Sequence, residues 1–382
     1  MYVTFKIKKN FENLINFSDI FNNFNNYFER ADILPASSSD FFETFTKYCT
    51  PTELGPLSIK YPVNDMEQKI KNFEPRIDSI LQDNMSEHYE AFLIPKASGG
   101  MRQIHAPKEP LMSLLRDLKD TLETQCYMLP HNSAYAYVKH RSTVDALHKH
   151  QQNKSRWFLK IDIKDFFPNH NYDHIKKQLT DIFPIACFFR DHELMKKFIN
   201  ICLLNNQLPQ GTPISPFLTN ICMIPLDYEI YHTFKNYDQK HFVYTRYADD
   251  ILISSKYHFD WKKVQDELQT ILTNNSPFQI KKEKTRYGSS AGRNWNLGLM
   301  LNKDNNITIG YKRKERLRAT LFSFFKDFQA GNIWSPEQVQ VFLGNLAYFK
   351  KVEPEYIENL IKKYSKKFNR NFYELTNQIL SP

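Results

Sequence analysis

YTRYADDILIS, residues 244–254, places two β-rich arms on either side of Ala248-Asp249, a polar pair suited to a tight hairpin. Asp249 and Asp250 then sit side by side at the tip, where adjacent carboxylates repel one another unless a cation neutralises them. Upstream, FLKIDIKDFF, residues 158–167, alternates so that Leu159, Ile161 and Ile163 share one strand face and Lys160 and Asp162 the other. A carboxylate ending an apolar strand suits a rigidly held metal ligand better than a purely structural role. Together Asp162, Asp249 and Asp250 offer donors for two Mg²⁺ ions about 3.5–4 Å apart, the arrangement of two-metal phosphoryl transfer. Taken singly, the paired aspartates also suit a solvated turn, and many strands end in Asp; order and surroundings decide between the readings.

Working outward, AFLIPKASGGMRQIHAP, residues 91–107, reads as a β-hairpin with Ser98-Gly99-Gly100 at its tip. Towards the N-terminus the texture is helical: Leu14, Phe17, Phe21, Phe24 and Phe28 share one helix face, and Asp40 and Glu43 have capping-box spacing. Residues 50–62, with Pro51, Gly55, Pro56 and Pro62, look like a linker. Beyond about Asn302 the chain turns helical and basic. There Leu317, Leu321, Phe324 and Phe328 align, and Ser335-Pro336-Glu337-Gln338 starts a further helix.

Composition sets the outer bounds. A 382-residue chain with 41% hydrophobic and 15% aromatic residues is globular rather than disordered. Its net charge of +9 favours polyanionic partners, although solubility alone explains it as well. Cys49, Cys126, Cys187, Cys202 and Cys222 are scattered with no C-x-x-C pair, so buried free thiols are expected, not a disulfide framework or a zinc site. His131, His140, His148 and His150 fit no zinc spacing and are expected to be solvated or hydrogen-bonded. The N-terminus lacks an apolar segment after its charges and no long apolar run occurs, so a cytoplasmic protein is expected, without a membrane partner.

LKIDIKDFF (159–167), LPQGTPISPFLTNI (208–221), YTRYADDILIS, IKKEKTR (280–286) and NLGLMLN (296–302) resemble, in order, the motifs of bacterial reverse transcriptases of the retron and group II intron kind. IPKASGGMRQIHAP resembles that family's fingers hairpin, and YVKHRSTVDALHKH (137–150) the segment before its first catalytic aspartate. YKRKERLRATL and FLGNLAYFKKVEPEYIENLIKKY resemble its thumb, so the likeness covers roughly residues 90–370. The resemblance implies an α+β right-hand polymerase: a helical N-terminal extension (1–85), fingers and an antiparallel-sheet palm (86–302), and a helical thumb (303–382).

It also implies roles, residue by residue. Asp162, Asp249 and Asp250 match the metal triad, with the Ile163 carbonyl as a further ligand and two Mg²⁺ ions, or Mn²⁺ in their place, as cofactors. Lys284 matches a lysine that protonates the leaving pyrophosphate. Lys96 and Arg102 match the cations that clamp the triphosphate, Phe167 the steric gate against a ribose 2′-OH, and Gln210 and Gly211 the floor under the incoming nucleotide. Lys139, Arg141, Tyr247, Gly298, Lys312, Arg313 and Arg316 match positions facing template or primer; Lys314 and Arg318 belong to the same basic stretch. The Phe167 position also suits a core phenylalanine, and the lysines and arginines a solvated basic surface.

The pattern departs from retrons at two places. Asp145 to His150 stand where an Asn-Ala-x-x-His signature is usual, and Asn296-Leu297-Gly298 where Val-Thr-Gly is usual, which argues against a standard retron. Lys281 replaces a usual asparagine. The layout, with no room for maturase, endonuclease or RNase H domains, looks closest to stand-alone phage-defence enzymes of the abortive-infection type. The implied partners are an RNA template, a DNA or RNA primer, deoxynucleoside triphosphates, and a non-coding RNA or companion defence protein. Untemplated or protein-primed synthesis, and binding without catalysis, are the other readings; the presence of all three carboxylates speaks against the last.

Overall fold

The computed structural model describes residues 3–5, 59–61, 63–95, 99–126, 129–182, 185–235, 237, 241–290, 295 and 298–381. The apolar face Leu14–Phe28, the Asp40–Glu43 cap, most of the 50–62 linker, Cys49, Lys96, Ser98, Asn296 and Leu297 lie outside the described residues.

A short strand β1 (Val3–Phe5) pairs antiparallel with β2 (Ile59–Tyr61). Helices α1 (Val63–Lys71) and α2 (Glu74–Leu81) lead into the hairpin of β3 (Tyr89–Pro95) and β4 (Met101–Pro107). Its register sets Ile94 opposite Arg102, and Gly99 and Gly100 at the tip take φ of +89° and +81°, which glycine adopts without strain. Next come α3 (Leu111–Cys126), α4 (Thr143–Gln152) and β5 (Trp157–Asp162). Then follow α5 (Tyr172–Asp181), α6 (Ile185–Phe188), α7 (His192–Cys202), α8 (Ser215–Cys222) and α9 (Ile224–Lys235). Strands β6 (Val243–Tyr247) and β7 (Asp250–Ser255) form the expected hairpin, followed by α10 (Trp261–Asn275) and β8 (Arg286–Ser289). The sheet order is β6-β7-β5-β8. Chain-terminal elements are β9 (Met300–Leu301), β10 (Ile307–Thr308), α11 (Tyr311–Gln329), α12 (Pro336–Val352), α13 (Pro354–Phe368) and α14 (Phe372–Leu380).

Two compact units result: residues 1–142, 159–253 and 259–286 in one, and residues 143–158, 254–258 and 287–382 in the other. In the first, Met66, Ile77, Leu114, Phe198, Leu218 and Tyr228 belong to one buried core built by α1 to α3 and α5 to α9. Each such side chain contributes about 1.5–3 kcal/mol by leaving water. The second unit has its own core, where Leu317, Leu321, Phe324 and Phe325 of α11 meet Phe342 of α12 and Phe372 of α14. Phe328 packs at its edge, so the expected α11 stripe is present with Phe325 added. At Ser335 a capping box forms: its Oγ accepts the Gln338 amide at 3.3 Å while its own amide donates to Gln338 Oε1 at 2.9 Å.

The first unit also buries a charged pair. Arg246 of β6 donates from Nε and Nη2 to the two carboxylate oxygens of Asp227 on α9, each at 2.7 Å, with both side chains fully buried. The Tyr244 hydroxyl donates to Asp227 Oδ1 at 2.6 Å, and Arg246 also reaches Asn220 Oδ1 and the Ala248 carbonyl, both at 3.2 Å. The hairpin tip is thereby tied to α8 and α9. Removing one member of such a pair strands a charge in low dielectric. Asp227→Ala is expected to lower folding stability by about 3–5 kcal/mol in urea unfolding, with a clearly smaller loss for Asp227→Asn, which keeps hydrogen-bond acceptors.

Candidate active site

The alternation read from residues 158–163 is realised: Leu159 and Ile161 are buried, and Lys160 and Asp162 sit half-buried on the other face of β5. Because β7 neighbours β5, Asp250 at the start of one strand and Asp162 at the end of the other belong to adjacent strands. The Ile163 amide donates to the Asp249 carbonyl at 2.9 Å, fixing the hairpin tip to the end of β5. On the opposite side, the Lys281 amide donates to the Asp162 carbonyl and the Lys164 amide to the Gln279 carbonyl, both at 2.8 Å. Ala248, at φ +55°, makes the turn that presents Asp249. The three carboxylates thus ride on backbone clamped from both sides, as metal ligands need.

Their electrostatics are uneven. Lys160 Nζ lies 2.7 Å from Asp250 Oδ2, and Lys284 Nζ lies 3.1 Å from Asp162 Oδ2. Burial, then the charges of Asp250 and Asp162, push the Asp249 carboxyl up to about 6, with Lys284 acting against them. Three carboxylates facing two ammonium groups leave one negative charge in a partly desolvated cleft, a setting that a divalent cation complements. Sequence reasoning missed the part of Lys160, although its place on the face of Asp162 was the available signal.

Phe167 is half-buried beside the core while its neighbour Phe166 is buried. The ring of Tyr137 stands edge-on to Phe167, centroids 6.4 Å apart, and Tyr137 remains 49% exposed. Burial raises the Tyr137 hydroxyl, Asp249 and Tyr247 add to the rise, and Arg102 opposes it. Tyr137, Phe167, Tyr247, Arg102 and Asp249 therefore share one neighbourhood. Sequence reasoning also missed Tyr137; its φ of +59°, which turns the ring this way, leaves no mark in the sequence.

Other expected site residues are spent differently. The Gln210 carbonyl accepts the His105 amide at 2.8 Å, and a Cβ on Gly211 (φ +120°) would fall 2.7 Å from Ile104 Cγ2 and 2.8 Å from the His105 carbonyl. The close approach that Gly211 permits is thus to β4. Arg141 turns inward: Nη1 donates to the carbonyls of His131 (2.6 Å) and Ala134 (2.8 Å), and Nη2 to Asn132 Oδ1 (3.0 Å). The exposed Lys139 pairs at 3.1 Å with Glu123, a nearly buried carboxylate that Lys119 also contacts at 3.3 Å. In the second unit the Arg313 guanidinium occupies the space over Gly298 (φ +98°), where closeness to a primer backbone was expected. Lys314 pairs with Glu353 at 2.5 Å and covers the Tyr356 ring, whereas Lys312 and Arg316 face solvent. His148 bonds Gln151 Oε1 at 2.8 Å, His150 bonds Ser254 Oγ at 2.5 Å, and His131 Nδ1 accepts the Ser133 amide at 3.1 Å, as hydrogen-bonded histidines do.

Because the Asp249 carboxyl titrates higher in the folded chain than in the unfolded one, the folded state binds the extra proton between roughly pH 4 and 6. Its charge therefore costs stability as pH rises through that window and persistently above it. Asp249→Asn is expected to be more stable than the parent by about 1–3 kcal/mol at pH 7.5 without divalent metal, the gain vanishing by about pH 4. Thermal unfolding of both proteins across pH checks this.

The family described as "Reverse transcriptase (RNA-dependent DNA polymerase)" matches residues 94–319. The Retron Ec73 reverse transcriptase of Escherichia coli is 30% identical over 71% of this chain and 85% of its own length. The Retron Ec83 enzyme of the same species is 27% identical over 78% of this chain and 94% of its own length. The Retron Mx65 enzyme of Myxococcus xanthus is 30% identical over 72% of this chain and 64% of its own length. The relatives thus side with retrons despite the altered signatures at 145–150 and 296–298. No helix among the described residues is long and apolar enough to cross a membrane. Reverse transcriptases work with divalent metals, an RNA template and nucleotide substrates. With its mixed α+β elements and its carboxylate-tipped hairpin beside β5, this chain belongs to the reverse transcriptase family, as a bacterial, retron-type RNA-directed DNA polymerase.

Proposed function

We propose that this polymerase extends a primer 3′ end with deoxynucleotides at Asp162, Asp249 and Asp250, which hold two Mg²⁺ ions. The observation that carries the reading is the clamped pairing of the Asp249–Asp250 tip with the end of β5, through the Ile163 amide and the Asp249 carbonyl. Bound there, the two ions would supply Lewis-acid activation of the 3′-hydroxyl and charge neutralisation on the pyrophosphate. Mn²⁺ has the same ligand preference and would substitute. The Ile163 carbonyl would add a further oxygen ligand.

The chain's own groups divide the remaining work. Lys160 and Lys284 neutralise Asp250 and Asp162 in the resting site, and Lys284, half-exposed, is placed to pass a proton to the departing pyrophosphate. Arg102, on β4, would bind the triphosphate, and Lys96 is proposed to do the same. Phe167, backed edge-on by Tyr137, excludes a ribose 2′-OH, and Gln210 and Gly211 shape the nucleotide floor by holding β4. Tyr247 and Lys139 face the template–primer path, with Arg141 ordering the 131–134 turn beside it. Lys312 and Arg316 bind duplex phosphates electrostatically, and Arg313 supports them from its place over Gly298.

In this reading residues 86–302 are fingers and palm, 303–382 the thumb, and 1–85 an N-terminal extension. The retron relatives favour a dedicated non-coding RNA as template over untemplated or protein-primed synthesis. In this reading the enzyme acts in the cytoplasm, in anti-phage defence.

Labelled deoxynucleotide incorporation on a primed RNA with Mg²⁺ tests the activity. Incorporation is expected to require the RNA and to fall about 10³-fold or more in Asp249→Ala. Incorporation that survives in Asp249→Ala contradicts the assignment. For defence, a phage panel is expected to plaque less on cells carrying the intact chain than on cells carrying Asp249→Ala.

A further inference from the structure

A second group of ligating side chains, away from the carboxylates, is drawn together inside the first unit. The candidate donor atoms of His170, His174 and Cys222 all lie within 4.8 Å of one another, and all three side chains are buried. His170 directly precedes the N-cap Asn171 of α5, His174 lies one turn on, and Cys222 ends α8. Spacing of i and i+4 puts both imidazoles on one side of the chain.

The hydrogen bonding points to a ligand. His170 Nδ1 lies 2.7 Å from the Phe166 carbonyl, an oxygen that can only accept. Nδ1 therefore carries the proton, and Nε2 presents a bare lone pair. That Nε2, the Nε2 of His174 and the Oε1 of Gln178, one further turn along α5, are buried without a hydrogen-bond partner. Around them stand rings: Phe278 at 4.9 Å from His170 and 5.4 Å from His174, and Phe166 at 4.9 Å from His170. Each polar atom left unmet in such surroundings costs about 1–3 kcal/mol. A backbone carbonyl holding one imidazole nitrogen while the other faces inward is the outer-shell pattern of histidines that bind metals.

We propose that His170 Nε2, His174 Nε2 and Cys222 Sγ form a structural Zn²⁺ site, with Gln178 Oε1 or a water in the fourth position. Imidazole and thiolate suit this borderline-soft d¹⁰ ion and not the Mg²⁺ of the carboxylate cluster. Zn–N near 2.0–2.1 Å and Zn–S near 2.3 Å set donors about 3.5 Å apart, so the present cluster closes by small side-chain shifts. Cys222 binds as thiolate, its proton passing to solvent. The ion ties residues 166–174, which follow the strand bearing Asp162 and include Phe167, to the end of α8.

The test uses the full chain, purified without a metal-chelating resin or chelating tag. Elemental analysis is expected to find about one zinc per chain, unchanged in Asp249→Asn. After zinc is stripped, Co²⁺ is expected to give a near-ultraviolet thiolate charge-transfer band that is absent in Cys222→Ser and kept in Cys187→Ser. Folded parent protein with less than about 0.1 zinc per chain and no charge-transfer band overturns the proposal. So does a band that persists in Cys222→Ser, or zinc that is lost in Asp249→Asn. Elemental analysis of the parent decides the matter even where Cys222→Ser fails to fold.

Discussion

The Asp249–Asp250 hairpin depends on one buried ion pair. Arg246 and Asp227 face each other with both charged groups removed from water. In that setting their attraction is strong, but their desolvation is costly unless every hydrogen-bonding position is filled. The filling comes from the Tyr244 hydroxyl, the Asn220 side chain and the Ala248 carbonyl. The last of these matters for function, because Ala248 is the residue before Asp249. A guanidinium that cannot leave its carboxylate holds the turn, and the turn holds the aspartates. Arg246 also bridges in parallel to Ala134, its amide donating to the Ser133 carbonyl at 2.6 Å. The same residue thereby positions the stretch that carries Tyr137 to Phe167.

Rigidity beneath the site permits repulsion within it. Three carboxylates on two adjacent strands would splay apart on a softer support, since their mutual energy is lowered by separation. Here the backbone around Asp162 is bonded through Ile163 on one side and Lys281 on the other, so the charges cannot relax by moving. They relax by attracting cations instead. Lys160 and Lys284 are the internal answer to that field, and divalent metal is the answer the family uses. Lys284 is the more exposed of the two lysines.

Much of this was legible in the sequence because it is local. The alternation at 159–163, the Ala248-Asp249 turn, the glycine-tipped hairpin before Met101 and the cap at Ser335 each depend on neighbours within a few residues. What the sequence hid depends on distance and on angle. Arg246 and Asp227 are 19 positions apart on different elements, and neither stands out in its own segment. Arg141 reads as a surface cation until its guanidinium is seen closing on His131 and Ala134. Arg313 likewise reads as a phosphate binder until it is found over Gly298. Among the described residues Cys126, Cys202 and Cys222 are buried without a disulfide, while Cys187 is only half-buried. Yet no spacing rule joins Cys222 to His170 and His174; only the packing of α5 against α8 does so.

The central claim is that Asp162, Asp249 and Asp250 are a cation-binding unit held ready by the fold. Diffraction from crystals grown with Mn²⁺ and a non-hydrolysable deoxynucleotide, at a wavelength where manganese scatters anomalously, tests it most directly. The account predicts anomalous peaks bridging the three carboxylates, with Lys160 Nζ withdrawn from Asp250 Oδ2. Crystals showing the nucleotide bound but no manganese at these aspartates, with the Lys160–Asp250 pair intact, would contradict it.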